Sequence, residues 1–250
     1  MKHWAHNRLK ALTGAWVLAW MATAGWSQQP SLTWLGTLGG NQSEAWGVSA
    51  DGSVVVGWAT NAAEYTRAFR WTASGGMQDL GTLGGRRSSA SGVSADGTVV
   101  AGYAYNAAGQ WRAFRWTELG GMQDLGTLGG SEIKAYGVSA DGSVVVGWAR
   151  NAAGEYRAFR WTASRGMEDL NTTYASLLTP NSWLYIAYAI SPDGRYIVGE
   201  GYNAATRLNE AFLLDTGPLR CTLYGDVNGD GKVDDADLLE VLFHFGNQCP

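Results

Sequence analysis

Short apolar runs alternate with turn residues along most of this chain. Val54-Val55-Val56-Gly57-Trp58 is β-branched and apolar at successive positions, which predicts a strand buried on both faces. It is preceded by a second apolar run, Ala45-Trp46-Gly47-Val48, and by the turn Ser49-Ala50-Asp51-Gly52. Asp-Gly between two apolar runs predicts a hairpin, because Gly tolerates positive φ and the Asp carboxylate caps the turn. After Asn61-Ala62-Ala63, the segment Arg67-Ala68-Phe69-Arg70-Trp71 alternates, with Phe69 and Trp71 on one face and Ala68 and Arg70 on the other. Gly75-Gly76 then leads into a fourth strand, Met77 to Leu83.

This pattern recurs. Gly47 to Gly52 returns as Gly92 to Gly97 and as Gly137 to Gly142, a step of 45 residues. Arg67 to Trp71 returns as Arg112 to Trp116 and Arg157 to Trp161, and Gly36 to Gly40 returns as Gly81 to Gly85 and Gly126 to Gly130. Four short strands in about 45 residues define one β-propeller blade. A degenerate fourth unit follows at a step of 52, with Asp193-Gly194 in the turn, Ile197-Val198-Gly199 in the Val run and Ala211-Phe212-Leu213-Leu214 after it. Its added residues, Asn171 to Trp183, predict a loop with a helical turn around Ala175 to Leu178.

The expected fold is therefore all-β: a four-bladed β-propeller over residues 31–215, with blades at about 45–85, 90–130, 135–171 and 187–215. The last unit lacks a fourth strand, while Leu32 to Leu38 reads as a fourth strand without its blade. Segment 31–39 is expected to complete the last blade and close the ring, removing free strand edges. A solenoid or an open stack of sheets is the alternative.

The ends of the chain add localisation. Lys2, Arg8 and Lys10 precede an apolar stretch, Ala11 to Met21, and Ala22-Thr23-Ala24 is a small-residue cleavage site, so 1–24 reads as a secretory signal peptide. A retained anchor is the alternative, but the apolar stretch is shorter than the ~20 residues of a membrane span. Cleavage removes three basic residues and no acidic one, taking the net charge from −4 to −7 and disfavouring nucleic acid or anionic membranes as general partners. After a linker at 216–220, the terminal segment 221–250 holds the chain's two cysteines, Cys221 and Cys249. In an exported chain they read as a disulfide, with two free thiols as the alternative.

Candidate chemistry is concentrated in that same segment. Asp226, Asn228, Asp230, Asp234 and Asp237 fall at positions 1, 3, 5, 9 and 12 of a calcium loop, with Gly231 at position 6 and the Lys232 backbone carbonyl at position 7. Carboxylates packed this closely would repel one another without a cation. The following helix, Ala236 to Phe245, carries an apolar stripe of Leu238, Leu239, Leu242 and Phe245. The stripe must be covered by another copy, a protein partner or the propeller wall.

Elsewhere the chain offers little for catalysis. Its three histidines, His3, His6 and His244, all lie outside the repeats, as do both cysteines, so Ser-His and Cys-His chemistry is unavailable there. Asp51, Asp96, Asp141 and Asp193 share one turn position, and Asp79, Asp124 and Asp169 share one strand position. Such replication predicts scaffold carboxylates in a non-enzyme; paired-carboxylate glycoside hydrolysis is the catalytic alternative. Trp58 with Trp148, and Trp71 with Trp116 and Trp161, predict burial between blades, with sugar stacking as the alternative. Arg70, Arg115 and Arg160 either form a cationic ring or cover the blade faces. Positions where the copies differ are better candidates for selectivity: Arg86-Arg87 against Ser131-Glu132, Tyr105 against Thr60, and the 171–183 loop.

The Gly-Val-Ser-Ala-Asp-Gly, Arg-Ala-Phe-Arg-Trp and Asp-Leu-Gly-Thr-Leu-Gly-Gly strings resemble the extracellular HAF repeat family over about residues 33–215. Asp169-Leu170-Asn171, Ala187 to Ile190 and Ala211 to Leu214 are similar to that family's closing module. The resemblance implies a secreted or surface bacterial protein and carries no established activity. Residues 224–246 resemble a type I dockerin, including Asp at loop position 12, although a dockerin has two such segments and this chain has one. Positions 10 and 11 are Asp235 and Ala236 in place of the usual hydroxyl pair. The implied role is calcium-dependent attachment, with membership of a polysaccharide-degrading assembly, the propeller as its glycan-binding part, as the alternative.

Overall fold

A computed structural model of the chain describes residues 30–217. The chain divides into two compact units, Met1–Trp34 and Leu35–Pro250. The described part of the first unit, 30–34, carries no regular structure.

In the second unit three sheets are four-stranded antiparallel meanders and the fourth has three strands. Blade 1 comprises β1 (Gly39–Val48), β2 (Val54–Asn61), β3 (Thr66–Thr72) and β4 (Gly76–Asp79). Blade 2 comprises β5 (Gly84–Val93), β6 (Val99–Asn106), β7 (Trp111–Thr117) and β8 (Gly121–Asp124). Blade 3 follows with β9 (Gly129–Val138), β10 (Val144–Asn151), β11 (Tyr156–Thr162) and β12 (Gly166–Asp169). Blade 4 holds β13 (Trp183–Ile190), β14 (Tyr196–Asn203) and β15 (Leu208–Asp215). The all-β, propeller-type architecture expected from the repeat is present.

Consecutive blades pack face to face. The first strand of each blade lies against the preceding blade: β5 against β1, β2 and β3, β9 against β5, β6 and β7, and β13 against β9, β10 and β11. The middle strands of blades 2 and 3 are consequently covered on both sides. Val54 and Val56 are buried toward blade 2, Val99 and Ala101 toward blade 3, and Val144 and Val146 toward blade 4. One core therefore fills each seam. Val54, Val56 and Ala68 meet Ala90, Val100 and Phe114; Ala101 and Ala113 meet Ile133, Val145 and Phe159; Val144, Val146 and Ala158 meet Leu184 and Ile197.

Three expectations change. First, the opening strand of blades 1 to 3 begins six residues earlier than its apolar residues indicate. The Gly-Gly pair that reads as a turn enters the strand through positive φ, +96° at Gly39 and +99° at Gly84, and pairs with the end of the second strand. Second, the helical turn expected around Ala175 to Leu178 is present, and a short helix precedes it. This helix, α1 (Leu170–Thr173), is capped by the Asp169 side chain, which accepts from the Asn171 amide, and a 3₁₀ turn spans Ala175–Leu177.

Third, ring closure by segment 31–39 is not formed. Residues 30–37 carry no strand, Leu38 bridges to Asn61 of blade 1, Gly39 opens β1, and blade 4 stays three-stranded. The outer faces of the two end blades are correspondingly open. Trp46 and Val48 of β1 are 47% and 60% exposed. The physical reason lies in blade 4, whose trailing face has lost the groups that join one blade to the next.

Candidate functional site

Each meander has two ends with different chemistry. The β1–β2 end carries the replicated Asp turn. Asp51 Oδ1 accepts from Ser49 Oγ at 2.7 Å and from the Ser53 amide at 3.0 Å, while Ser49 Oγ accepts from the Val54 amide at 3.0 Å. Asp96 and Asp141 repeat this with Ser94 and Thr98 and with Ser139 and Ser143, and Asp193 with Ser191 and the Arg195 amide. The Ser53 amide and the Ser49 hydroxyl hold the Asp51 carboxyl down at about 2. Asp96 and Asp193 are lowered mainly by the hydroxyls of Ser94 and Ser191; at Asp141 burial works the other way but is outweighed by the Ser139 and Ser143 hydrogen bonds.

The second carboxylate column is committed to its own strand ends. Asp79 and Asp124 accept from the amides of Gly81 and Gly126, and Asp169 from that of Asn171. Each also faces the arginine of its own blade, Arg67, Arg112 or Arg157, at 3.6–3.9 Å. Both columns therefore do the structural work that replication implied.

The Trp and Arg columns divide. Trp116 and Trp161 are buried in the seams, as is Trp148, whereas Trp71 and Trp58 of blade 1 are half-buried because no blade precedes them or because they reach the rim. Arg70 and Arg115 donate from Nε to the Gly97 and Gly142 carbonyls of the next blade at 3.2 and 3.1 Å. They are clamps between blades and form no cationic ring. Arg160 instead binds Glu168 and Tyr174, since the inserted loop alters the following seam.

The opposite end of each blade, around the β2–β3 turns, is where the copies diverge, and the structure gathers the varying residues there. At the first seam Arg86 lies over the Tyr65 ring, 5.6 Å from its centre. At the second, Tyr105 stacks on Trp111 at 3.9 Å, Tyr103 meets Trp111 edge-on at 5.1 Å, and the Lys134 ammonium sits over both Tyr103 and Trp111. Burial raises the pKa of the Tyr103 hydroxyl. At the third, Trp148 lies 4.8 Å from Tyr156 and donates to Tyr136 Oη, while Tyr136 stacks on Tyr188. Arg150 covers Tyr156 and is tied to Glu132 at 2.8 Å, the contact that raises its pKa. Blade 4 continues the rim with Trp183 stacked on Tyr202 beside a shallow groove lined by Leu178, Leu184, Tyr202 and Phe212.

Arg86, Tyr105, Glu132 and the 171–183 loop, singled out because the copies differ there, thus share one rim. Trp111, Lys134, Tyr156 and Tyr188 were missed; their signal was the same departure from the repeat consensus. Among the described residues, no group of three or more His, Cys, Asp or Glu is placed to hold a metal, and no helix is long and apolar enough to cross a membrane. The expected calcium loop (Asp226, Asn228, Asp230, Lys232, Asp234, Asp237), the Cys221–Cys249 pair, the signal segment and the Leu238–Phe245 stripe lie outside the described residues.

No family model matches the sequence, and no curated protein matches it. The fold is similar to a TolB-assigned protein of Agrobacterium tumefaciens, with a TM-score of 0.50 at 15% identity over 68% of this chain. The chain spans 60% of that protein's length. TolB of Acinetobacter baumannii (TM-score 0.44, 16% identity, 71% of this chain and 44% of that one) and a puromycin hydrolase variant (0.45, 17%, 70% and 27%) are also similar. At these identities the likeness concerns the fold alone.

Proposed function

We propose that this chain is an exported, non-catalytic binding or structural repeat protein whose ligand-contacting surface is the aromatic rim. One observation carries the reading: replicated carboxylates are consumed by their own turns, while the residues that vary between copies converge on one end of every seam. A scaffold with a diversified rim is built to bind. Its aromatic faces are partly buried, held rigid by stacking, and bordered by cations, so they offer flat apolar contact at small entropic cost.

A polysaccharide is the second, more specific reading, favoured by the stacked Tyr105–Trp111 pair, whose planes suit the apolar faces of sugar rings. On a glycan array, retained signal that falls at least tenfold in Trp111→Ala supports it; flat signal on every plant and bacterial polysaccharide removes it and leaves a protein ligand for the rim. Turnover of a glycoside, abolished by one carboxylate substitution, would overturn the non-catalytic reading itself.

For the tail, the proposal is calcium binding by Asp226, Asn228, Asp230, the Lys232 carbonyl, Asp234 and Asp237, with a dockerin-like attachment role and a Cys221–Cys249 disulfide nearby. Isothermal titration of the full chain with calcium should give one site, lost in Asp226→Ala and Asp237→Ala. Heat identical to buffer in the unsubstituted protein would exclude it.

A further inference from the structure

Three links join blade 1 to blade 2 and blade 2 to blade 3, and the first of them also joins blade 3 to blade 4. The Ala50 amide donates to Ala95 O, Ala95 to Ala140 O and Ala140 to Pro192 O, each at 2.9 Å. Arg70 and Arg115 clamp the next blade's turn carbonyl. The turn glycine of that next blade packs closely on a valine, Gly97 on Val54 and Gly142 on Val99, leaving no room for a larger pair.

Blade 4 breaks all three. Pro192 occupies the alanine position and has no N–H to donate. Leu213, opposite Val198 as Arg70 is opposite Val56, replaces the clamp. Tyr196 replaces the valine on which a turn glycine packs, with a side chain much larger than valine. None of the links used at the first two seams is available there to a further blade, from this chain or from a second copy docking head to tail.

The loss leaves an apolar face. Tyr196, Val198 and Leu213 are 36%, 41% and 68% exposed, against 0–4% for the valines and alanine at the first two of these positions in blades 1 to 3. Stacked repeats need such a terminal face covered. The chain itself supplies a cover. It leaves β15 at the edge of this face, where Thr216 bonds back to Arg195 O and Gly217 to Asp215. Eighteen residues, 218–235, separate that exit from the helix predicted at 236–245. At up to about 3.3 Å per residue the tether reaches anywhere on a three-strand face roughly 15 Å wide. A ten-residue helix, about 15 Å long, matches that width. Its stripe of Leu238, Leu239, Leu242 and Phe245 has no twin in the chain. Tethering gives it an effective concentration on the order of millimolar, an advantage that a free second copy lacks.

We infer that the helix at 236–245 caps the open face of blade 4, its stripe packed on Tyr196, Val198 and Leu213. The terminal segment then closes the repeat stack as well as carrying the calcium loop. The test places a benzophenone amino acid at Leu213 in the full-length chain, irradiates it at low micromolar concentration with calcium present, and maps the adducts by mass spectrometry. The expected product is intramolecular, joining 213 to a peptide within 236–245, and it is lost in Leu238→Asp/Leu242→Asp. A probe at Leu119, wholly exposed on a turn of blade 2, should give no such adduct. A covalent dimer would mean that a second copy covers the face, an adduct with β1 would mean ring closure, and no protein adduct would mean an open face; each overturns the inference. If the double Asp variant misfolds by circular dichroism, a second probe at Val198 repeats the mapping without it.

Discussion

A buried hydroxyl organises each repeat. Ser94 is fully buried; its Oγ accepts from the Val99 amide at 2.9 Å and donates to Asp96. Removing it orphans a buried N–H, so Ser94→Ala should cost about 1–3 kcal/mol, read as a fall of several degrees in the thermal midpoint. The carboxylates add a pH term. Asp51, Asp96, Asp141 and Asp193 all have folded pKa values below the ordinary 3.8, Asp51 at about 2. The native state thus binds fewer protons than the unfolded chain between those values. The stabilisation is complete above about pH 4 and is lost as pH falls toward 2. Thermal melts across pH 5 to 2 should show this fall, and Asp96→Asn should flatten it by removing one of the four ionisations. An unchanged slope would mean that the turn does not hold the charge. The turn was legible in the sequence because Asp-Gly is a strong local signal. The serine two residues before each Asp was not singled out, because its role depends on burial.

At the scale of the strand, legibility follows how locally a strand is determined. β2, β6 and β10 announce themselves by β-branched runs next to Asp-Gly, and β3, β7 and β11 by alternation. β1, β5 and β9 do not. Their first halves, Gly39 to Glu44 in blade 1, are polar or glycine apart from Ile133 of β9, and become strand only by pairing with the following strand. The strand face that each phenylalanine reaches is set the same way. Phe114 and Phe159 are fully buried in the seams with the preceding blades, while Phe212, at the same position in blade 4, is only half-buried. Phe→Ala should therefore cost about 3–5 kcal/mol at 114 or 159 and clearly less at 212, measured by urea unfolding. Equal costs at 114 and 212 would mean that the blade 3–4 seam buries its phenylalanine as fully as the blade 1–2 seam does.

At the scale of the whole molecule, counting repeats reveals what stacks but not whether the ends meet. The closure expected from the missing fourth strand failed because three substitutions in blade 4, Pro192, Tyr196 and Leu213, remove the groups a following blade would use. Each was visible as a departure from its column, yet its meaning required knowing that those columns form the seams. The stack that results is quasi-one-dimensional, so stability depends on how many neighbours a strand has. β5 and β9 are sandwiched between blades, whereas β1 has a neighbour on one face and exposes Trp46 and Val48 on the other. Local opening of β1 then breaks one seam, while opening β5 or β9 breaks two. Native-state hydrogen exchange should show β5 and β9 amides protected at least about tenfold more than the paired amides of β1, a difference of roughly 1.4 kcal/mol in opening free energy. Protection as strong in β1 as in β9 would mean that something seals the blade 1 face, and the open stack would have to be redrawn as a closed assembly.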